Sequence, residues 1–298
     1  MHANNLSAAL LAMASTAILS FVDNFVLAVT QDHGLWQFQV VRALMIVPVM
    51  VVAARLLGQR LWPVRPGRLL ARSVIVSLGL LIYFAALGTL SVAQAGAGLF
   101  SAPIWVMILS AVLFGVRVRA VQIVAIIGGF GGVLMVLQPD PENLSLLSLL
   151  PLGAGVLYGL GMMLTRFWCA QESAMALSLG VFVTIGLASL ILLVLGEVGP
   201  WAGQAGFLTS GWAPLTPRFL WLTVLQGAGA IVAVTLIAQA YRIGTPSYVA
   251  VFEYSFLVFA ALWSLLLWQQ GTDALAWAGI AVITAAGLVM ALSERKAG

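Results

Sequence analysis

Charge is scarce in this chain. Only 7% of its 298 residues are charged, whereas 62% are hydrophobic, and the mean hydropathy is +1.10. A water-soluble domain of this length covers itself with many more polar and charged side chains. The composition therefore excludes a soluble protein and predicts that lipid surrounds most of the chain.

Cysteine and histidine are also nearly missing. Cys169 is the single cysteine, so no disulfide forms within one chain, and His2 and His33 lie outside the apolar stretches. The sequence has no HExxH motif, no Walker A motif and no pair of intramembrane aspartates, which argues against intramembrane proteases and ATP-driven pumps. We predict that the protein is not an enzyme and that it holds no metal and no cofactor.

Ten long apolar stretches account for almost the whole chain. Each has close to the 20 residues needed to cross a bilayer, and helices are required because lipid cannot satisfy free backbone groups. The sequence therefore predicts an all-α integral membrane protein. Its first span is expected to be retained, since the leader lacks Lys and Arg and the apolar core is too long for a signal peptide. The predicted spans are residues 6–29, 35–57, 70–90, 93–115, 121–137, 149–169, 174–195, 219–241, 247–268 and 275–292.

The basic residues lie in alternate gaps between the spans. Eleven of the thirteen Lys and Arg residues fall on one side of the predicted membrane, Arg218 falls on the other side and Arg42 lies within a span. Because basic loops stay in the cytoplasm, both termini are predicted to be cytoplasmic. The pI near 9.7 reflects this bias, so we expect no nucleic-acid partner. The eleven are Arg55, Arg60, Arg65, Arg68, Arg72, Arg117, Arg119, Arg166, Arg242, Arg295 and Lys296.

The two halves of the chain resemble each other. Segment 86–91 matches 240–245 at an offset of 154 residues, and segment 132–135 matches 287–290 at an offset of 155. Five spans per half is an odd number, so the second half must enter the membrane from the opposite side. The prediction is two inverted five-helix repeats around a central cavity. The first repeat is assigned to residues 1–138, a linker to 139–148, and the second repeat with the C-terminal tail to 149–298.

Several motifs resemble the drug/metabolite transporter superfamily, in its ten-helix EamA-type branch. Besides the five-plus-five spans and the basic loop after the second span, they are Asn24-Phe25, Arg42-Ala43-Leu44, Pro103 and Glu253-Tyr254. The chain departs from the family pattern where the fourth span ends in Gly115-Val116 instead of Gly-Glu. The resemblance implies a secondary transporter that exports metabolites across the inner membrane of a bacterium. Within the family, the many Tyr and Trp residues resemble those of bacterial aromatic amino-acid exporters.

Three ionisable residues lie deep within the predicted spans: Asp23, Arg42 and Glu253. Such residues are costly in lipid and suggest function. Asp23 and Arg42 lie about 10 and 12 Å below the same membrane face, so we predict an ion pair that serves either as a structural contact or as a gate. Glu253 has no obvious partner at its depth. It is expected to carry a coupling proton, to bind a substrate ammonium or to hydrogen-bond a neighbouring helix.

Uncharged polar and aromatic residues at mid-depth are the candidates for substrate contact. Aromatic faces hold an ammonium or stack on a ring, and amides bond a carboxylate or an amine. Pro103 is expected to kink its helix and Met162 to add an adaptable wall, with helix packing as the alternative for each residue. In the family the helices concerned surround the central cavity, so the resemblance implies that these residues meet there: Asn24, Tyr83, Ser101, Trp105, Tyr158, Gln226 and Tyr254.

These features together predict a secondary transporter that exports small amphipathic metabolites by alternating access. Amino acids, above all aromatic or hydrophobic ones, are the expected substrates. The lipid bilayer is the other partner, and a monomer is the expected assembly. Two alternatives stay open: an exporter of drugs or other metabolites with the same fold, and, from a different class, a lipid scramblase or an intramembrane enzyme.

Overall fold

The described residues of the chain are entirely consistent with the predicted helical membrane protein. The computed structural model describes residues 4–23, 25, 33–86, 92–139, 149–198, 208–269 and 273–295. In this part of the chain, ten helical spans are long and apolar enough to cross a membrane, which confirms the all-α prediction. The helices are α1 (Asn5–Asp23), α2 (Leu35–Leu56), α3 (Pro66–Ala86), α4 (Val92–Leu99), α5 (Ala102–Phe114), α6 (Ala120–Leu137), α7 (Leu150–Trp168), α8 (Ala174–Val198), α9 (Pro217–Ile243), α10 (Pro246–Glu253), α11 (Ser255–Trp268) and α12 (Ala274–Arg295).

Two of the ten spans consist of two helices each. The fourth span joins α4 to α5 through Phe100 and Ser101, and the ninth joins α10 to α11 at Tyr254. Pro103 lies in the first turn of α5, where its missing N–H costs nothing because those donors have no intrahelical partner. Both breaks lie near the middle of their spans, so each span can bend beside the centre of the protein.

The third helix begins earlier than hydropathy alone predicted. It starts at Pro66, where proline suits the first helical turn, and not at residue 70. Arg72, which was grouped with the basic loop, therefore lies a turn and a half inside α3 with only 1% of its surface exposed. The positive charge in this turn lowered the local hydropathy and concealed the start of the helix.

Helix pairing follows a regular pattern. α3 packs along α7, so the third span pairs with the sixth. α1 packs along α9, so the first span pairs with the eighth. α2 packs along α8, and α6 along α12, so the second span pairs with the seventh and the fifth with the tenth. A shift of five spans exchanges the first two pairs with each other and returns each of the last two pairs to itself. That is the pattern expected from an inverted five-plus-five repeat, which remains a prediction for this chain.

Small residues allow the closest of these pairs to form. A Cβ atom on Gly132 of α6 would lie 2.8 Å from the carbonyl oxygen of Gly279 in α12, and one on Gly279 would lie 2.6 Å from the oxygen of Gly132. No larger side chain fits at either position without moving backbone. Such backbone contact between glycines is a common way for helices to associate in lipid.

The two ends of the molecule differ in composition. The arginine-rich end is the one where residues 57–65, 115–119 and 169–173 connect the spans. The N-terminal residues lie near Arg242 at this end, because the Thr245 N–H donates to the Asn5 side chain at 2.8 Å and the Asn4 N–H donates to the Ile243 carbonyl at 3.2 Å. The opposite end carries residues 33–34 and 208–216.

Eight of the helices form two bundles. We call α1, α9, α10 and α11 bundle I, because α1 packs on the other three, and we call α3, α4, α5 and α7 bundle II, because α7 packs on the other three. At the arginine-rich end the bundles meet where α5 packs on α10 and α7 on α9. The corresponding pairs toward the opposite end, α4 with α11 and α1 with α3, have no comparable packing among the described residues. The bundles are thus joined at one end and separated toward the other.

Candidate substrate cavity

A cavity of about 140 Å³ lies between the two bundles. It is lined by residues from the first four spans and from the sixth to ninth spans. Seven residues singled out from the sequence lie on its wall: Asp23, Arg42, Tyr83, Pro103, Tyr158, Gln226 and Glu253.

Most of the remaining wall is apolar. Phe84, Phe100, Phe182 and Phe256 contribute aromatic surface, and Phe100 contacts Phe256 across the two bundles with ring centroids 5.4 Å apart. A few polar groups set in an apolar and aromatic wall are typical of small-molecule sites. The wall therefore suits a solute with one apolar part and one polar part.

One polar group on the wall, which we call the arginine cluster, consists of Asp23, Arg42 and Gln226. Arg42 donates from Nη1 to Gln226 Oε1 at 3.1 Å, and the Gln226 side chain is hydrogen-bonded to Asp23. Arg42 and Asp23 also attract each other electrostatically, with the amide as their hydrogen-bonded link, and a direct ion pair between them stays a prediction. The Arg42 guanidinium lies 5.2 Å from the centre of the Phe38 ring, a cation–π distance. The cluster joins α1, α2 and α9, and its two opposite charges compensate each other.

A second polar group, which we call the glutamate cluster, consists of Glu253, Tyr158 and Tyr241. Tyr158 donates its hydroxyl to Glu253 Oε2 at 2.9 Å, and Tyr241 donates to Glu253 Oε1. The expectation that Glu253 lacks a partner at its depth is therefore wrong: two phenols from other helices reach it. No cation is in contact with this carboxyl among the described residues. The cluster thus holds one acidic group without a compensating positive charge.

Sequence reasoning missed Tyr241. It lies two residues before the end of α9 and was assigned to the border of the eighth span. The position of Tyr241 in the sequence could have identified it, because the eighth span ends at the membrane face where the ninth span, which carries Glu253, begins. A tyrosine side chain near that face reaches toward a carboxyl one or two turns deeper in the next helix.

Two other candidates hydrogen-bond within their own span. Ser101 donates to the Gly98 carbonyl at 2.6 Å and accepts a bond from Trp105 Nε1 at 3.1 Å. Both residues are absent from the cavity wall. These two hydrogen bonds stabilise the bend between α4 and α5, because the Ser101 hydroxyl satisfies a backbone carbonyl that the interrupted helix leaves free.

Met162 and Tyr254 lie behind the cavity wall. Met162 is buried, with its sulfur 3.8 Å from Arg72 Nη2. Tyr254 is fully buried against α6, and its hydroxyl donates to the Ile126 carbonyl at 3.4 Å. Asn24, the remaining candidate, lies outside the described residues.

The first span contributes two hydroxyls that the sequence analysis did not single out. Ser15 and Thr16 line the cavity. Ser15 donates to the Ala233 carbonyl at 2.7 Å, and the Thr16 hydroxyl lies 2.7 Å from that of Ser255. Serine and threonine are frequent in membrane helices as packing residues, so their identity alone gave no reason to choose them.

The arginine-rich end is closed by bonds between the bundles and the loops. Glu172 accepts the backbone N–H groups of Val64 and Arg65 at 2.9 and 2.7 Å. Arg242 of α9 donates to the Glu172 carbonyl at 2.8 Å, and Arg166 of α7 donates to the Arg242 carbonyl at 2.7 Å. Because these bonds connect α7, α9 and the loop before α3, the cavity is separated from solvent at this end.

Within the described part of the chain, no group of three or more His, Cys, Asp or Glu side chains is placed to hold a metal ion. Residues 6–138 match the EamA-like transporter family. This match covers the first five spans, which therefore form an EamA-like domain.

The relatives of this EamA protein are transporters by name. It is 26% identical over 231 residues to a riboflavin transporter of Rhizobium johnstonii, a match that covers 78% of this chain and 72% of the relative. It is also 26% identical over 231 residues to the pseudopaline exporter CntI of Pseudomonas aeruginosa, covering 77% and 76%. A chain of known crystal structure superposes with a TM-score of 0.78 at 18% identity over 97% of this chain and 98% of that one, which shows the fold alone. The chain is therefore a multi-pass membrane protein that is similar to transporters over most of its length, and the names of these relatives do not single out amino acids as the substrate.

Proposed function

We propose that this EamA protein is a secondary transporter that exports small amphipathic metabolites, with aromatic and hydrophobic amino acids as the preferred substrates. The observation that carries the proposal is the cavity between the two bundles, whose apolar and aromatic wall holds separate acidic and basic groups. The ammonium of an amino acid suits the carboxyl of Glu253, and its carboxylate suits Arg42 or the amide of Gln226. Phe100 and Phe256 supply the ring faces for its side chain.

The mechanism we propose is alternating access. The cavity lies at mid-depth between bundles that are joined at one end and separated toward the other, which supports a rocking of bundle I against bundle II. In the proposed orientation both termini and the arginine-rich end face the cytoplasm of a bacterium. The described state would then be closed to the cytoplasm, and a monomer is sufficient for the cycle because the cavity lies within one chain.

The alternative substrate is another metabolite whose size and polarity are similar to those of an aromatic amino acid. The names of the relatives, a riboflavin transporter and a pseudopaline exporter, favour this alternative, because they extend the solutes carried by proteins of similar sequence beyond simple amino acids.

Solute counterflow in liposomes tests the proposal. We expect saturable uptake of radiolabelled phenylalanine that depends on unlabelled phenylalanine inside the vesicles. The variant Arg42→Gln should lower this exchange, whereas Arg218→Gln, which changes an arginine at the opposite end away from the cavity wall, should not. Absence of exchange for every amino acid in folded protein would overturn the amino-acid assignment. Exchange of riboflavin, movement of labelled lipids or covalent change of the solute would then identify the alternative class.

A further inference from the structure

Of the two carboxyls that the described residues place on the cavity wall, Glu253 is the one that joins the two bundles. It belongs to α10 of bundle I, and its partner Tyr158 belongs to α7 of bundle II. Its other partner, Tyr241 of α9, lies in the same bundle as Glu253. The Tyr158 bond must break when the bundles separate at the arginine-rich end, whereas the Tyr241 bond can persist.

We propose that Glu253 is a latch on the arginine-rich end, held shut by the Tyr158 hydroxyl and released when the ammonium group of a solute takes the carboxylate. The part concerning the solute rests on the proposed transport function and names its chemical class, a protonated amine. The part concerning closure rests on the position of Glu253 between the bundles.

Among the bonds that close this end, the latch is the one a solute can reach. Glu253 and Tyr158 both line the cavity. Arg166 and Arg242 are bonded to main-chain oxygens and are absent from the cavity wall. A solute inside the cavity can therefore weaken closure directly through Glu253, and the remaining bonds follow once the bundles begin to move.

The chemistry favours an amine as the releasing group. Glu253 already accepts two phenol hydroxyls and has no cation in contact among the described residues. An ammonium adds the missing positive charge, and a hydrogen bond between two ionised groups is stronger than one to a neutral phenol. A carboxylate would instead be repelled by Glu253. The latch therefore distinguishes solutes by the sign of their charge.

The single cysteine of the chain provides a native reporter of opening. Cys169 belongs to a buried apolar cluster that also contains Leu69 of bundle II and Ala238 of bundle I. It is almost fully buried, and burial raises the pKa of its thiol to about 11, so it reacts slowly in the closed state. Separation of the bundles at this end exposes the thiol.

The first experiment measures maleimide labelling of Cys169 in full-length protein held in lipid nanodiscs, where both ends are accessible. We expect Tyr158→Phe to raise the labelling rate on the order of tenfold, the effect of losing one hydrogen bond to a charged group. Tyr241→Phe removes the same hydroxyl from the same carboxyl and should leave the rate unchanged, because its bond lies within bundle I. Cys169→Ser gives the background. An equal rise in both variants, or no rise in either, would overturn the latch.

The second experiment adds solute to the wild-type protein. We expect 2-phenylethylammonium to speed the labelling of Cys169 and 3-phenylpropionate to leave it unchanged, with the amine effect lost in Glu253→Gln. An amine without effect, or a carboxylate with the same effect, would overturn release by ammonium. The two tyrosine variants need no solute, so the latch stands or fails independently of phenylalanine counterflow, whose absence would overturn only the proposed function.

Discussion

The arginine cluster and the glutamate cluster each place one carboxyl on the wall of the same cavity, but only the arginine cluster also holds a positive charge that compensates the carboxyl. Asp23 is balanced by Arg42 through the amide of Gln226. Glu253 meets two phenols and no cation among the described residues. A balanced cluster is suited to holding helices together, whereas an unbalanced one leaves a charge for a solute or a proton to satisfy. A carboxyl on this wall can thus be compensated by the protein in one place and left for a solute to compensate in another.

The largest expected effect comes from breaking the balance in the arginine cluster. Arg42→Leu leaves the half-buried carboxyl of Asp23 without a cation, which we expect to lower the free energy of unfolding by about 3 kcal/mol, the low end for a broken buried pair. Thermal unfolding of the purified protein measures this loss. The double variant Asp23→Asn/Arg42→Leu removes both charges and should recover most of the stability. A double variant as unstable as the single one would contradict the view that the two charges compensate each other.

Glu253→Gln should lower transport and leave stability nearly unchanged, the reverse of what we expect for Arg42→Leu. It leaves no cation unpaired, so the melting temperature should change little. Exchange of phenylalanine in liposomes should fall roughly tenfold, the equivalent of one hydrogen bond to a charged group. If stability falls as far as in Arg42→Leu while exchange per folded molecule is unchanged, the glutamate cluster is structural and the comparison fails.

Tyr83 and Trp105 sharpen the comparison between wall and packing residues. Tyr83 lines the cavity, whereas Trp105 donates to Ser101 in its own span. We expect Tyr83→Ala to reduce phenylalanine exchange by about threefold to tenfold, as loss of an aromatic contact does. Trp105→Ala should act mainly on the melting temperature. Equal loss of exchange in both variants, at equal expression, would place Trp105 with the substrate.

The smallest effect is expected at Asp273, an exposed carboxylate outside the spans. The Gln138 side-chain amide and the Ala276 N–H donate to it and hold its pKa below the ordinary value of 3.8. A lowered pKa stabilises the folded state above the pKa of the unfolded chain, and this contribution is lost as the pH falls through the folded pKa. Asp273→Asn should therefore remove a slight drop in melting temperature below pH 3.8 and leave exchange at neutral pH unchanged. A change in exchange would link this loop to the cavity.

The positions of the spans were predictable because lipid imposes one strong rule, a run of about 20 apolar residues in a helix. The rule fails where a helix carries a charge, as at Arg72, because that charge is satisfied inside the protein and not by water. Depth along each helix was also predictable, which brought Asp23 and Arg42 to one level.

The faces of the helices could not be predicted in the same way. A membrane helix is apolar on all sides, so hydropathy does not reveal which side meets the cavity. Glu253 and Tyr254 are neighbours in sequence, yet Glu253 lines the cavity and Tyr254 packs against α6. Two residues one position apart on a helix point about 100° apart. Helix pairing sets this rotation, and no short motif in the sequence records it.

Arg72 has a consequence for how the chain is made. Its guanidinium donates to Thr165 of α7 at 2.8 Å and to the Leu177 carbonyl of α8 at 3.2 Å, and both partners are synthesised about a hundred residues later. While the ribosome is still translating α7, Arg72 must find its hydrogen bonds among lipid headgroups and interfacial water, which its place near the arginine-rich end permits. The third helix therefore enters the bilayer with Arg72 hydrated at the interface, and Arg72 becomes buried when the sixth and seventh spans pack against it. The first half of the chain therefore cannot reach its final packing alone, because the buried guanidinium of Arg72 needs hydrogen-bond partners from the second half.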